Sequence, residues 1–89
     1  MERNEIKKEV KIIFVSVLKN NNFEISDELT ANDVDGWDSL SHMVIVTEVE
    51  KHFDIKFKLK DLNKLNNIGN LIDLVALKTE QKLILPDGL

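Results

Sequence analysis

The one proline of this 89-residue chain, Pro86, lies near the C-terminus, and the chain holds only three glycines. Proline breaks a helix by removing an N–H and clashing with the preceding turn, and glycine weakens one through its backbone entropy. Long, uninterrupted helices are therefore open to almost the whole chain, and its apolar residues are spaced to use them. Ile6, Val10, Ile13, Phe14, Val17 and Leu18 recur at intervals of three and four among Glu5, Lys7, Lys8, Glu9 and Lys11. That period gathers them on one buried stripe of a first amphipathic helix. Ile12 and Val15 are expected to broaden the buried face. Asn20-Asn21-Asn22 is expected to end the helix, because Asn tolerates the left-handed conformation common at helix C-termini.

A long connection follows, from about Asn20 to Asp38. Loops beyond ~12–15 residues are uncommon in compact domains unless they are functional or flexible. Phe23, Ile25, Leu29, Val34 and Trp37 are available to anchor this one on the core, and Ser26-Asp27-Glu28 predicts a short helical turn. Asp35-Gly36-Trp37-Asp38-Ser39-Leu40 then reads as a turn and a helix start. Gly36 supplies a flexible turn position, and Asp38 or Ser39 supplies an oxygen that caps orphan N–H groups. Ser39 thus stands at the mouth of a helix, beside the positive end of its dipole, a favourable place for a phosphate group.

The second helix, Ser39 to about His52, carries two apolar stripes. Ile45, Val46, Val49 and Phe53 form the core face, while Leu40, Met43, Val44 and Thr47 form a second face. The second face is either buried inside a small bundle or exposed for docking, since an exposed apolar patch generally marks an interaction site. Asp54-Ile55-Lys56-Phe57 gives a short extended connection with no second strand to pair with. Leu59, Leu62 and Leu65 predict one or two turns of short, 3₁₀-like helix. Asn66-Asn67 starts a last helix through Ile68, Leu71, Ile72, Leu74 and Val75 towards Lys82. Gly69 in its first turn costs about 1 kcal/mol against Ala. Leu83-Ile84-Leu85 either extends that helix or packs as a tail, and Pro86-Asp87-Gly88-Leu89 stops it. The expectation is one all-α domain over residues 1–89. It is a small four-helix bundle, three main helices plus one short helix with a long first loop, spanning residues 3–83 and followed by a tail at 84–89.

Composition removes several function classes. The net charge of −4 and the lack of a basic recognition helix argue against nucleic-acid binding. With no Cys there are no disulfides or thiolate metal sites. Asp33, Asp35 and Asp38 alternate as in a Ca²⁺ loop, but the glycine and terminal glutamate of an EF-hand are not at the required spacing, so no metal site is expected. No apolar run approaches the ~20 residues that span a bilayer. The charged N-terminus lacks a signal peptide's apolar core, so a cytoplasmic protein is expected. His42, three residues after Ser39, could face it across a helical turn. No orienting acid, oxyanion hole or Gly-x-Ser-x-Gly elbow accompanies the pair. No catalytic residue is therefore assigned, and His42 and His52 read as surface or helix-terminal residues.

Asp38-Ser39-Leu40, opening an amphipathic helix that ends Glu50-x-x-Phe53, resembles the attachment site of acyl carrier proteins. The likeness covers nearly the whole chain through the motif's mid-chain position, the domain size and the long first loop. The resemblance implies that a phosphopantetheinyl transferase esterifies the Ser39 hydroxyl with 4'-phosphopantetheine from coenzyme A. Asp38 would support the modification by ligating the transferase-bound metal or orienting the hydroxyl, with Leu40 completing the motif. Leu40, Met43, Val44 and Thr47 would meet partners, namely an acyl- or aminoacyl-loading ligase or transferase and downstream acyl-processing enzymes. His42 would lie within reach of the pantetheine or a partner. The implied role is non-enzymatic: a monomer, with no catalytic sequence fused to it, that tethers acyl intermediates as thioesters at high effective concentration. The helix after the serine, with Ser41, His42, Val44, Thr47, Glu48 and Lys51, is far less acidic than in primary fatty-acid carriers. Trp37 before the motif also looks more like specialised stand-alone carriers of secondary-metabolite, polysaccharide or modified-sugar pathways. An aminoacyl or peptidyl carrier is an alternative, although the Gly-Gly-x-Ser pattern of peptidyl carriers is not present. A helical protein–protein interaction module that is never modified is the other.

Overall fold

The first helix, α1 (Arg3–Leu18), buries Ile6, Val10, Ile13 and Phe14, with Val17 and Leu18 packed partly buried beside them. It belongs to a computed structural model that describes residues 2–84, with side chains as far as residue 81. The other helices are α2 (Ser39–Phe53), α3 (Leu59–Leu62) and α4 (Ile68–Ile84), and no strand occurs among the described residues. α1 packs against both α2 and α4, so the core lies where these three long helices meet. The all-α bundle with one short helix and a long first loop is the architecture the apolar spacing predicts. α4 includes Ile84, the first residue of the tail expected at 84–89, and the rest of that tail, with Pro86 as its stop, lies outside the described residues.

Two details of α1 correct the sequence reading. Ile12 does not broaden the buried face but is 62% exposed, beside Val44 and Glu48 in a shallow groove between α1 and α2. The left-handed residue that ends α1 is Lys19, with φ 53°, and not one of the three asparagines. Leu18 still packs on the core, so the chain has to turn directly after it. Asn20 works in the turn instead: its side chain donates to the Asp35 carbonyl at 3.3 Å and accepts from the Asn22 N–H at 2.9 Å.

The long loop is held along its length. Val34 and Trp37 are buried, and Phe23, Ile25 and Leu29 pack against the core. The Phe14 ring meets Trp37 edge-on at 4.9 Å and Phe23 at 6.4 Å. The turn expected at Ser26 forms, closed by the Leu29 N–H on the Ser26 carbonyl. A second turn follows, in which the Asp33 carboxylate accepts from the Thr30 N–H and hydroxyl. The loop also caps α4, since the Ile68 and Gly69 N–H groups each donate at 2.9 Å to the Leu29 and Asp27 carbonyls. Gly69 permits that approach, because a Cβ there would stand 3.0 Å from both Cβ and the carbonyl oxygen of Asp27. Arg3 completes the join, reaching Asp27 of the loop and Asp73 of α4, each at 2.9 Å.

α2 ends at Asp54, which adopts φ 55° and donates its N–H to the Glu50 carbonyl. The Glu50 carboxylate then accepts the Phe57 N–H at 2.8 Å, pinning the extended connection while Ile55 is buried. α3 is a single α turn that continues in three-residue hydrogen bonds as far as Leu65. Leu59 turns to solvent, and the buried residue of α3 is Asp61. Its carboxylate accepts the Lys58 N–H at 2.8 Å and pairs with Lys78 of α4 at 3.0 Å. The Lys58 N–H, followed by Lys78, holds that carboxyl below the usual range. α4 starts at the expected asparagines: Asn67 Oδ1 accepts the Asn70 N–H, and Asn70 Oδ1 accepts the Asn66 N–H.

Candidate functional site

The start of α2 is a closed hydrogen-bonded box. Asp38 is the N-cap, and its Oδ1 accepts the Leu40 N–H at 3.0 Å and the Ser41 N–H at 2.9 Å. In return the Ser41 Oγ accepts the Asp38 N–H at 2.8 Å and donates to the Gly36 carbonyl at 2.7 Å. Gly36 takes φ +89°, a conformation that side chains with a Cβ rarely adopt, so the turn that delivers the chain to the helix favours glycine. The Ser41 N–H, then the Ser41 hydroxyl and the Leu40 N–H, hold the Asp38 carboxyl below the usual range.

Ser39, the first residue of the helix, stands outside this box. It is exposed, and no hydrogen bond within the described chain engages its Oγ. Of the two capping candidates, Asp38 therefore takes the role and leaves the Ser39 hydroxyl free. The arrangement also refines the expectation for a phosphate at this helix mouth. The Leu40 and Ser41 amides are already occupied by Asp38, so a phosphate on Ser39 would feel the dipole without those two donors.

His42, in the first turn of α2, is half-buried. Trp37 Nε1 donates to His42 Nδ1 at 3.1 Å, and the two rings stack with centroids 6.0 Å apart and planes at 19°. Because Nδ1 accepts, the neutral ring carries its proton on Nε2. Burial pushes the pKa of His42 down and favours that neutral form. Ser39 and His42 share no hydrogen bond, so they form no nucleophile–base pair. Helical spacing carries no sign of the Trp37–His42 contact, since it joins a buried loop residue to a helix across a turn. His52 is exposed near the end of α2, with Nε2 at 3.1 Å from a Glu9 carboxylate oxygen.

A cavity of about 630 Å³ opens beside Ser39, with walls from the long loop (Ala31, Asn32), from Trp37, His42 and Met43, and from Leu65 and Asn66. On the outer side of α2, Leu40 is 79%, Met43 50% and Val44 44% exposed. Thr47 is exposed with them, its hydroxyl bonded to the Met43 carbonyl at 2.9 Å. The second stripe is thus open to solvent, while Ile45, Val46, Val49 and Phe53 are buried. Among the described residues no three potential metal-ligating side chains cluster, and no helix is long and apolar enough to cross a membrane.

Residues 8–75 match the family model described as the phosphopantetheine attachment site. The chain belongs to the acyl carrier protein family. The solution NMR structure of the holo acyl carrier protein of Geobacter metallireducens is 42% identical and superposes with a TM-score of 0.82, covering 88% of this chain and 90% of that one. The acyl carrier proteins of Chlorobium phaeobacteroides and Chlorobium phaeovibrioides are 31% and 32% identical over 78 residues, which is 88% of this chain and the whole of each relative. An acyl carrier protein is not an enzyme: it interacts with a phosphopantetheinyl transferase and with enzymes that process acyl groups. The covalently attached phosphopantetheine of the family needs an accessible acceptor hydroxyl on a rigid support. The free Oγ of Ser39 beside the Asp38–Ser41 box meets both requirements.

Proposed function

We propose that Ser39 carries the phosphopantetheine. On this reading residues 1–89 act as a single cytoplasmic carrier domain that presents acyl groups to partner enzymes in a specialised rather than a primary fatty-acid pathway. The observation that carries the assignment is the exposed, unengaged Oγ of Ser39 beside a capping box that occupies its neighbours. When attached, the arm supplies a terminal thiol that holds acyl groups as thioesters. The chain itself contributes three things. Asp38 and Ser41 fix the backbone on either side of Ser39, Gly36 turns the chain so that the hydroxyl faces solvent, and Leu40, Met43, Val44 and Thr47 form an apolar face for docking.

The specialised pathway is favoured by the make-up of that face. Glu48 on this side of α2 lies 3.9 Å from Lys51, which offsets its charge where a carrier that docks on basic patches would be acidic. Such a face suits partners with an apolar complement more than partners that attract by charge.

Intact-mass measurement after incubation with coenzyme A and a broad-specificity phosphopantetheinyl transferase tests the attachment. The wild type is expected to gain one phosphopantetheine, and Ser39→Ala none. An unmodified wild type on folded protein, with several transferases, would leave an interaction module as the better account. For the pathway, the loaded protein is offered to a malonyl-loading transferase of primary fatty-acid synthesis. Slow loading is expected, and loading as fast as that enzyme's own carrier would overturn the specialised reading.

A further inference from the structure

We infer that the Trp37–His42 pair and the cavity beside it form a cleft that holds the first segment of the phosphopantetheine arm against the protein, an inference that rests on Ser39 carrying the arm. The first segment after the phosphate is chemically mixed, with a pair of geminal methyl groups, a secondary hydroxyl and then an amide. An arm rooted at Ser39 has this cavity directly at its foot. At about 630 Å³ the cavity is within the ordinary size range of a small-molecule site, and its lining is mixed in the same way. Met43, Leu65 and the Trp37 ring offer apolar contact, while Asn32, Asn66 and His42 bring polar groups.

His42 is the group that gives the cleft direction. Its Nδ1 is taken by the Trp37 indole, and stacking on that ring fixes its plane. The remaining nitrogen, Nε2, therefore carries the proton, and no hydrogen bond within the described chain engages it. A half-buried donor of fixed tautomer and orientation, with no acceptor of its own, is suited to an amide carbonyl or hydroxyl oxygen. Trp37 acts through His42 as a positioning residue, and it also presents an aromatic face. A purely structural role for the pair would account for the indole bond but would leave the second nitrogen unused.

The test is NMR on isotope-labelled protein whose loading at Ser39 has been verified by intact mass. Nuclear Overhauser contacts from the arm's geminal methyls to the Trp37, Met43 and Leu65 side chains are expected in the holo form. The Trp37 indole and His42 ring nitrogen resonances should move between the apo and holo forms. His42→Ala should abolish the methyl contacts and sharpen the methyl lines to those of a free chain. His42→Gln, which keeps an acceptor for the indole and a donor for the arm, should retain part of them, and a dispersed amide spectrum checks that each variant is folded. A mass-verified holo protein without these contacts, and with unchanged Trp37 and His42 resonances, would overturn the cleft while leaving the carrier function intact. Absence of the mass gain would instead overturn attachment at Ser39, and the cleft with it.

Discussion

At the level of single residues, the Asp38 carboxylate has a structural task, accepting the Leu40 and Ser41 N–H groups, and a second task in modification that the family resemblance implies. The two can be separated because Asn caps helices about as well as Asp, whereas Ala does not cap. Asp38→Asn is expected to keep the denaturation midpoint near that of the wild type, and Asp38→Ala to lower it. Both should slow transfer of phosphopantetheine to Ser39. Modification of Asp38→Asn at the wild-type rate would limit Asp38 to its structural task. His42 gives a second prediction, in pH. Burial disfavours its charged form, so the folded pKa lies below the ordinary value of about 6.5 and the folded protein takes up this proton less readily than the unfolded chain. The contribution of His42 to stability is complete above about pH 6.5 and is lost as the pH falls through the folded value. An NMR titration should place the His42 midpoint below about 6.5, with the Trp37 indole resonance changing at the same pH because imidazolium Nδ1 cannot accept its hydrogen. A midpoint above that value would contradict the burial argument.

At the level of elements, Gly69 shows a local preference overridden by a neighbour. Helix propensity alone favours Ala there by about 1 kcal/mol, but the new methyl would press on backbone and side-chain atoms of Asp27 at 3.0 Å. Gly69→Ala is therefore expected to lower the thermal midpoint, and a rise would show that the loop gives way easily. The outer face of α2 gives the opposite case, a change that stability should not register. Val44 is 44% exposed, and surface substitutions usually stay within about 0.5 kcal/mol. Val44→Lys should leave the denaturation midpoint almost unchanged while lowering kcat/KM of the enzyme that loads the carrier. Unchanged loading would remove Val44 from the docking face.

For the molecule as a whole, the long loop is as much part of the bundle as the helices. Phe14 of α1 is fully buried and touches both Phe23 and Trp37, so one side chain joins the core to the loop and, through Trp37, to His42. Phe-to-Ala changes in cores cost about 3–5 kcal/mol, against a total stability of about 5–15 kcal/mol for a typical domain. Phe14→Ala is expected to remove a large share of the stability in a denaturant titration and to broaden the Trp37 indole resonance. A loss under about 1 kcal/mol would mean that the loop holds without this contact.

Much of this design was legible in the sequence because helical order is local. A period of three and four residues is enough to decide that Ile45, Val46, Val49 and Phe53 face inward and that Leu40, Met43, Val44 and Thr47 share another face. Likewise Asp38 before Ser39 is enough to predict a cap and a helix mouth. Four facts depended on packing and not on helical period: Lys19 as the left-handed stop, Ile12 turned to solvent, Gly69 against Asp27, and Trp37 bonded to His42 across the turn before α2. Each is settled by which surfaces meet once the loop closes, and residue spacing carries no record of that meeting. By itself the sequence determined the helices, their faces and the serine at the mouth of α2. Only the tertiary structure decided which of those faces is covered and what lies beside the serine, because burial belongs to the contact between elements and not to either element alone.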